Sequence, residues 1–187
     1  MERVALYFER KGKENSAHVL RIARDRAREL GIRQVVVAST HGRTALQAAE
    51  VFQGTGVDLI AVSISAAFQD MGWTLAPGER RAMEEKGIRV LTSLHALADG
   101  ISEGFYGENT PGNLAANALR WFSQGMKVAV ETSIMALEAG FLTVGSEVIA
   151  IAGTDEGADT AIVIRPVFAR QVKDLRICEI LCKPRIG

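Results

Sequence analysis

Residues 39–44, Ser-Thr-His-Gly-Arg-Thr, concentrate groups that proteins use to bind phosphate. Their hydroxyl groups can donate hydrogen bonds to phosphate oxygens, and Arg43 can add a charge-assisted bond. Gly42 lets the backbone approach a ligand closely, and a helix beginning near Thr44 would add unpaired N–H groups and the positive end of its dipole. This 39–44 loop is therefore predicted to bind phosphate, the alternative being a capped helix start with a surface arginine. The candidate residues are Ser39, Thr40, His41, Gly42, Arg43 and Thr44.

Motifs that would define the chemistry further are missing from the sequence. It has no Gly-x-x-x-x-Gly-Lys-Ser/Thr P-loop and no Gly-x-Gly-x-x-Gly after the first predicted strand, which disfavours an ordinary dinucleotide fold. His41 could hydrogen-bond a ligand or transfer a proton, but no Ser-His-Asp arrangement accompanies it. The three histidines show no metal-binding spacing. We assign no catalytic residue and no metal ligand.

The 39–44 loop needs a strand before it and a helix after it, and the hydrophobic pattern supplies both. Residues 34–38 contain three consecutive valines, typical of a strand covered on both faces. A first helix, capped by Asn15 or Ser16, ends at Gly31. The other elements predicted in the first half of the chain are strands at 4–8, 57–63 and 88–92 and helices at 44–53 and 78–86.

The second half changes character after a glycine-rich stretch at 100–112. It is predicted to contain helices at 111–122 and 127–139 and strands at 147–152, 160–164 and 175–181. Residues 153–159, named here the 153–159 loop, suit a hairpin-like return. Alternating strands and helices favour a parallel sheet covered on both faces. We predict one domain over residues 1–187, a three-layer α/β/α fold with a mostly parallel sheet and an antiparallel edge.

In such a sheet, ligands bind beyond the carboxyl ends of the strands. The loops expected at that edge are 9–16, 39–44, 63–77 and one that begins at Thr92. The first also carries cations and contributes Lys13 and Asn15 as candidates. Lys127 and Glu131, four residues apart on a helix, are predicted to form a surface ion pair; the alternative is a helix start aimed at a ligand.

Composition limits the possible partners. Lys plus Arg and Asp plus Glu each number 22, so no global charge recruits nucleic acid or an anionic membrane. No apolar run approaches the roughly 20 residues that span a bilayer, and the apolar run at the start is too short for a signal peptide. Cys178 and Cys182 would lie too far apart in a strand for a disulfide, and we expect reduced core thiols in a cytoplasmic protein.

Residues 35–45, VVVASTHGRTA, followed by DLIAVS at 58–63, resemble the C-terminal domain of pyruvate kinase. In that family a Ser-Gly-Arg-Ser/Thr-Ala loop binds a phosphate of an allosteric sugar bisphosphate. Residues 147–154 and 160–164 are similar to the strand-loop-strand that closes the site. The resemblance implies the same fold and a phosphate-binding role for the 39–44 loop. The catalytic barrel of pyruvate kinase has no counterpart in this sequence, so kinase activity is not implied.

The whole chain also resembles stand-alone prokaryotic proteins related to that domain, through residues 7–9 with 12–15, 124–128 and 157–164. Relatives of this kind are associated with bound FMN and have no established role. The resemblance implies FMN as a candidate cofactor, flanked by loop 9–16 and by residues near the 153–159 loop. The candidates there are Thr154, Gly157, Asp159 and Thr160.

The 153–159 loop departs from the pyruvate kinase pattern. Where that family has a tryptophan and a cation for a second phosphate, this chain has Asp155 and Glu156. Carboxylates facing a phosphate are unfavourable, so a ligand with one phosphate and a neutral polyol tail fits better. Asp155, Glu156 and Asp159 could accept hydrogen bonds from its hydroxyl groups, although a solvated turn is the simpler reading of the first two.

A flavin ring would need an apolar wall. Phe68, Trp73, Phe105 and Tyr106 lie in predicted loops and are candidates, the alternative being that they pack the loops onto the domain. The leading hypothesis is binding of a phosphorylated small molecule, most specifically FMN. The alternatives are a regulatory or sensor domain for a sugar phosphate and a flavin-dependent enzyme. A homo-oligomer is also possible for a domain of this size.

Overall fold

A computed structural model of the protein describes residues 2–98 and 100–186. Its elements, in chain order, are β1 (Leu6–Phe8), α1 (Ser16–Leu30), β2 (Gln34–Ala38), α2 (Arg43–Val51), β3 (Asp58–Ser63), α3 (Pro77–Glu84), β4 (Arg89–Thr92), α4 (Ile101–Tyr106), α5 (Pro111–Arg120), α6 (Gln124–Glu138), β5 (Val148–Ala152), β6 (Thr160–Arg165) and β7 (Arg176–Pro184). Short 3₁₀ helices occupy Lys13–Asn15, Ala66–Met71 and Ala169–Asp174.

The strands form one sheet of seven in the order β1-β7-β6-β5-β2-β3-β4. β2 pairs in parallel with β3 and β5, β3 with β4, and β1 with β7. β6 is antiparallel to both β5 and β7, so the antiparallel pairings lie toward the β1 side. The predicted α/β class with a mostly parallel sheet is confirmed. The loops after β1 to β5 consequently meet at one edge.

Helices cover both faces of the sheet and divide the core into two clusters. On one face, α1, α2 and α3 pack against alternate strand residues that include Val35 and Val37. On the other face, α5 and α6 pack against residues that include Val36. The three valines are essentially fully buried, as expected for a strand between two helical layers.

An ion pair joins the first helical layer to the sheet. Arg26 of α1 is buried, and its Nε donates to Glu179 Oε2 on β7 at 2.8 Å. The Arg26 hydrogen bond lowers the pKa of Glu179, and the Glu179 carboxylate raises the pKa of Arg26. The pair therefore helps to hold α1 across the strands that separate β1 from β2.

Two expectations fail in the periphery. Cys182 is a buried free thiol, as predicted, but Cys178 is exposed. The pairing of β6 with β7 passes from Val163–Glu179 to Ile164–Ile177 and skips Cys178, so the alternation of faces shifts there. Helix α4 was not predicted, because Ile101 and Phe105 are exposed and leave no core-facing stripe to recognise.

Candidate functional site

A cleft of about 960 Å³ opens at the carboxyl edge of the parallel strands. The 39–44 loop, the segments after β3 and β4, and the 153–159 loop contribute to its walls. One face of α6 forms another wall, opposite α2, because the two helices cover different faces of the sheet. The cleft is of the size that holds small-molecule ligands.

At the 39–44 loop, where α2 starts, two backbone donors have no partner among the described residues. Ser39 Oγ accepts a hydrogen bond from the N–H of Ala45 at 3.2 Å, and the first helical bond runs from Leu46 N–H to the carbonyl of Gly42 at 2.9 Å. Within the described part of the chain, the N–H groups of Arg43 and Thr44 have no acceptor. Both residues line the cleft, so the start of α2 presents free donors and a positive dipole end to it.

Gly42 is required by the shape of this loop. Its φ of 80° lies in the left-handed region, which favours glycine. A Cβ at this position would lie 3.1 Å from Met83 Sδ of α3, so a side chain would also press on the neighbouring helix. Gly42 therefore shapes the turn that precedes α2.

Arg43 of the 39–44 loop and Lys13 of loop 9–16 both pair with Glu156. Arg43 Nη1 lies 3.5 Å from Glu156 Oε2, and Lys13 Nζ lies 2.9 Å from the same oxygen. The Lys13 hydrogen bond lowers the pKa of Glu156, with smaller contributions from the charges of Lys13, Arg43 and His41. These contacts are solvent-exposed, and such pairs are weak. A ligand phosphate could therefore replace Glu156 as the partner of Arg43.

The His41 side chain contacts α3. Its Nδ1 lies 3.3 Å from Glu79 Oε2. The pKa of Glu79 is lowered mainly because its carboxylate accepts the Ala76 N–H at 2.8 Å, with His41 contributing less. His41 lines the cleft, where it can donate or accept one hydrogen bond.

Asp159 organises the 153–159 loop from within. Its fully buried carboxylate accepts the N–H groups of Gly12 at 3.0 Å and Thr154 at 3.1 Å, and the hydroxyl of Thr160 at 2.8 Å. Thr160 Oγ1 also lies 3.2 Å from Ser123 Oγ, at the start of α6. Asp159 and Thr160 thus join loop 9–16, the 153–159 loop and α6 behind the cleft.

Loop 9–16 and the 153–159 loop are packed backbone to backbone. A Cβ on Gly157, whose φ is 76°, would lie 2.5 Å from Lys13 Cα, so only glycine fits. Asn15 Nδ2 donates to the carbonyls of Arg10 at 2.8 Å and Gly12 at 3.2 Å. Thr154 Oγ1 is buried and has no hydrogen-bond partner among the described residues. These contacts fix the outline of the cleft at this end.

The sequence prediction of a surface ion pair at Lys127 and Glu131 is wrong. The two side chains are only 7% and 3% exposed, they form a direct ion pair, and both line the cleft. Glu131 Oε1 also accepts the N–H of Leu97 at 3.1 Å and so connects α6 to the segment after β4.

A signal for this burial was present in the sequence. Residues 124–138 carry only three charged side chains among mostly small and apolar ones, and α6 is buried along most of its length. A helix with so few charges tends to lie in the interior, where an i, i+4 pair of opposite charges must be buried together. The i, i+4 spacing alone, without the burial of its neighbours, indicated a surface pair.

Of the candidate aromatic residues, Phe68 and Trp73 line the cleft. The Phe68 ring also lies 5.5 Å from the His95 ring. Phe105 and Tyr106 are exposed on α4 and do not contribute to the cleft wall. Phe68 and Trp73 therefore provide an apolar surface in the cleft that the 39–44 loop also lines, as a planar ligand would require.

A protein-family model described as the pyruvate kinase alpha/beta domain matches residues 17–164 of the chain. The chain belongs to the pyruvate kinase alpha/beta domain family. Two solved structures of Cryptosporidium parvum pyruvate kinase are similar to it at 14% and 13% identity, with TM-scores of 0.45 and 0.42. Each match covers 89% of this chain and 24% of the pyruvate kinase, so the chain spans about a quarter of the length of those enzymes.

For this member of the pyruvate kinase alpha/beta domain family, the cleft brings together only part of the predicted site. The predicted residues that line it are Ser39, Thr40, His41, Arg43, Thr44 and Gly157. The others, which lie beside or behind its walls, are Lys13, Asn15, Gly42, Thr154, Asp159 and Thr160. Within the described ranges, no helix is both long and apolar enough to cross a membrane.

Proposed function

We propose that the cleft binds a small molecule carrying one phosphate, with FMN the most specific candidate. The observation that carries the proposal is the pair of N–H groups on Arg43 and Thr44 at the wall of the cleft, which have no acceptor among the residues that the structure describes. A helix start with free donors and an adjacent arginine is a general anion-binding arrangement. The family resemblance supports the same role for this loop.

The remaining walls suit the rest of an FMN molecule. Phe68 and Trp73 supply apolar surface against which an isoalloxazine ring could stack. Asp155 can accept hydrogen bonds from ribityl hydroxyl groups, while Glu156 pairs with Arg43 and Lys13 beside it. The same carboxylates would repel a second phosphate, which supports a monophosphate over a bisphosphate.

The visible absorption spectrum of freshly purified protein, followed by titration of the flavin-free protein with FMN, tests this proposal. We expect flavin bands in the spectrum, or saturable uptake of FMN that quenches its fluorescence. Riboflavin should bind more weakly, because it lacks the phosphate. Protein that carries no flavin and takes up no FMN would overturn the assignment of FMN.

A sugar phosphate is the second candidate ligand, and the polar wall of the cleft favours it. Asn113, Asn117 and Gln124, on α5 and α6, line the cleft and could bind sugar hydroxyl groups. Thermal-shift measurements with FMN and a panel of sugar monophosphates separate the two candidates. A larger rise in melting temperature with a sugar phosphate than with FMN at equal concentration would assign the site to a sugar phosphate.

A further inference from the structure

The Lys127–Glu131 pair is the most deeply buried charged group in the described walls of the cleft. Replacing such a pair with apolar side chains is often neutral or stabilising, so its presence calls for a function. Glu131 has two uses within the protein, since its carboxylate accepts from both Lys127 and the Leu97 N–H. Lys127 has only one partner among the described residues.

An ammonium group carries three N–H donors. With one donor directed to Glu131, Lys127 has two that find no acceptor in the described part of the protein, although the residue is 5% exposed. The cleft is the open space that Lys127 lines. A buried donor next to a cleft favours an acceptor atom on the ligand, because leaving it unpaired costs free energy.

Lys127 and the 39–44 loop bound the cleft from opposite layers of the fold. α2 packs in the core cluster on one face of the sheet and α6 in the cluster on the other. A ligand whose phosphate is bound at the start of α2 would extend its other end toward α6. There, Lys127 offers a fixed cation, and the amide side chain of Asn113 and the aromatic rings of Phe68 and Trp73 line the same cleft.

We propose that Lys127 determines specificity by donating a hydrogen bond to a carbonyl oxygen on a planar head group, at the end of the ligand away from the phosphate. Glu131 holds the ammonium group in place. This inference rests on the proposed function and adds to it the class of head group. A phosphorylated sugar without the planar carbonyl-bearing ring would offer no acceptor to the two remaining donors of Lys127 and would gain nothing from this contact.

Three probes separate the two ends of the ligand. FMN has both the phosphate and the carbonyl-bearing ring, riboflavin has the ring alone, and ribose 5-phosphate has the phosphate alone. Each is titrated calorimetrically into the wild-type protein and into Lys127→Met, Arg43→Ala and Arg28→Ala, the last an exposed arginine of α1 outside the cleft. Because Lys127→Met strands the Glu131 carboxylate, the double variant Lys127→Met/Glu131→Gln is measured beside it, with folding checked by circular dichroism.

We expect loss of Lys127 to weaken FMN and riboflavin alike, by about 10- to 100-fold, the equivalent of one charge-assisted bond. Ribose 5-phosphate should bind these variants within twofold of the wild type. Arg43→Ala should weaken binding of FMN and ribose 5-phosphate and leave riboflavin affinity unchanged. Arg28→Ala should change none of the affinities.

The possible failures are distinguishable. If Lys127 variants bind FMN and riboflavin as the wild type does, the inference is overturned while the proposed function stands. If the wild type binds ribose 5-phosphate but neither flavin, the phosphate site stands while the inference and FMN are both rejected. If Arg43→Ala has no effect while the Lys127 variants lose both flavins, the inference stands without the phosphate loop. If the wild type binds none of the probes, both proposals fall.

Discussion

Two walls of the cleft carry the same kinds of charge in opposite environments. On the loop wall, Arg43 and Glu156 are 71% and 58% exposed and lie 3.5 Å apart. On the α6 wall, Lys127 and Glu131 are almost completely buried and in direct contact. Exposed pairs contribute little to stability and exchange partners readily, whereas buried pairs are costly to break. The loop wall can therefore rearrange around an anion, while the α6 wall presents one fixed geometry.

This difference suggests that the two walls recognise different parts of a ligand. An adaptable cationic loop suits a phosphate, whose oxygens accept bonds from many directions. A rigid buried donor suits discrimination between head groups, because an unpaired buried group penalises a ligand that lacks the matching atom. The predictions below test whether the two walls differ in this way.

The largest expected effect is on stability, at the α6 wall. Lys127→Met should lower the free energy of unfolding by about 3–5 kcal/mol, because it leaves the Glu131 carboxylate buried without its cation. Urea unfolding followed by circular dichroism measures the change.

The double variant Lys127→Met/Glu131→Gln is the matched control for that measurement. Its new amide side chain would retain a carbonyl oxygen for the Leu97 N–H while removing the stranded charge. It should recover most of the lost stability. A double variant as unstable as Lys127→Met would show that the lost charge pairing is not the cause.

The contrast between the walls also explains what could be predicted from sequence. The 39–44 loop is a local motif: its hydroxyls, Gly42 and Arg43 follow a valine-rich strand, so both the strand and the helix start were predicted to within one residue. The role of Lys127 depends on the burial of α6 between α5 and the sheet, a tertiary fact that the i, i+4 spacing does not contain.

The order of the strands in the sheet is also a tertiary feature that local sequence patterns do not contain. Local patterns predicted all seven strands, and the antiparallel return after β5 is confirmed at β6. The insertion of β5, β6 and β7 between β1 and β2 depends on pairing between distant parts of the chain.

Asp159 was proposed as a ligand contact from its position in the loop. Its internal bonds to Gly12 and Thr154 depend on loop 9–16 lying beside it.

At the loop wall, Arg43→Ala should weaken binding of a phosphorylated ligand by roughly 1.5–3 kcal/mol, the range for a charge-assisted hydrogen bond. Stability should hardly change, since the side chain is exposed. Calorimetry with FMN and thermal unfolding without ligand provide the two measurements. An equal loss of riboflavin affinity would show that Arg43 does not recognise the phosphate.

A partly buried ion pair outside the cleft, Arg26 with Glu179, provides the comparison for the α6 wall. Glu179→Gln should lower the free energy of unfolding by about 1–2 kcal/mol at pH 7, because the amide that replaces the carboxylate would keep one acceptor for Arg26 but lose the charge. It should leave FMN binding unchanged. Loss of binding in this variant would mean that instability alone explains the Lys127 result.

The same pair gives a pH dependence with a defined sign. Arg26 lowers the pKa of Glu179 in the folded protein. Its stabilising contribution is therefore complete above the unfolded pKa of about 4.3 and is lost as the pH falls through the lower folded value. The stability difference between wild type and Glu179→Gln should shrink as unfolding is measured from pH 7 to about pH 3. A difference that does not change over this range would contradict the assignment.

The smallest effect is expected at Glu156, and it tests how adaptable the loop wall is. Glu156→Gln removes a carboxylate that competes with a phosphate for Arg43 and Lys13. Affinity for FMN should rise by about two- to fivefold, consistent with an exposed pair, while riboflavin affinity should stay constant. Raising the salt concentration should reduce the gain, because exposed charges are screened. If Glu156→Gln instead weakens FMN and riboflavin equally, the carboxylate binds the ribityl hydroxyl groups that both share, and the 153–159 loop belongs to the ligand site rather than competing with it.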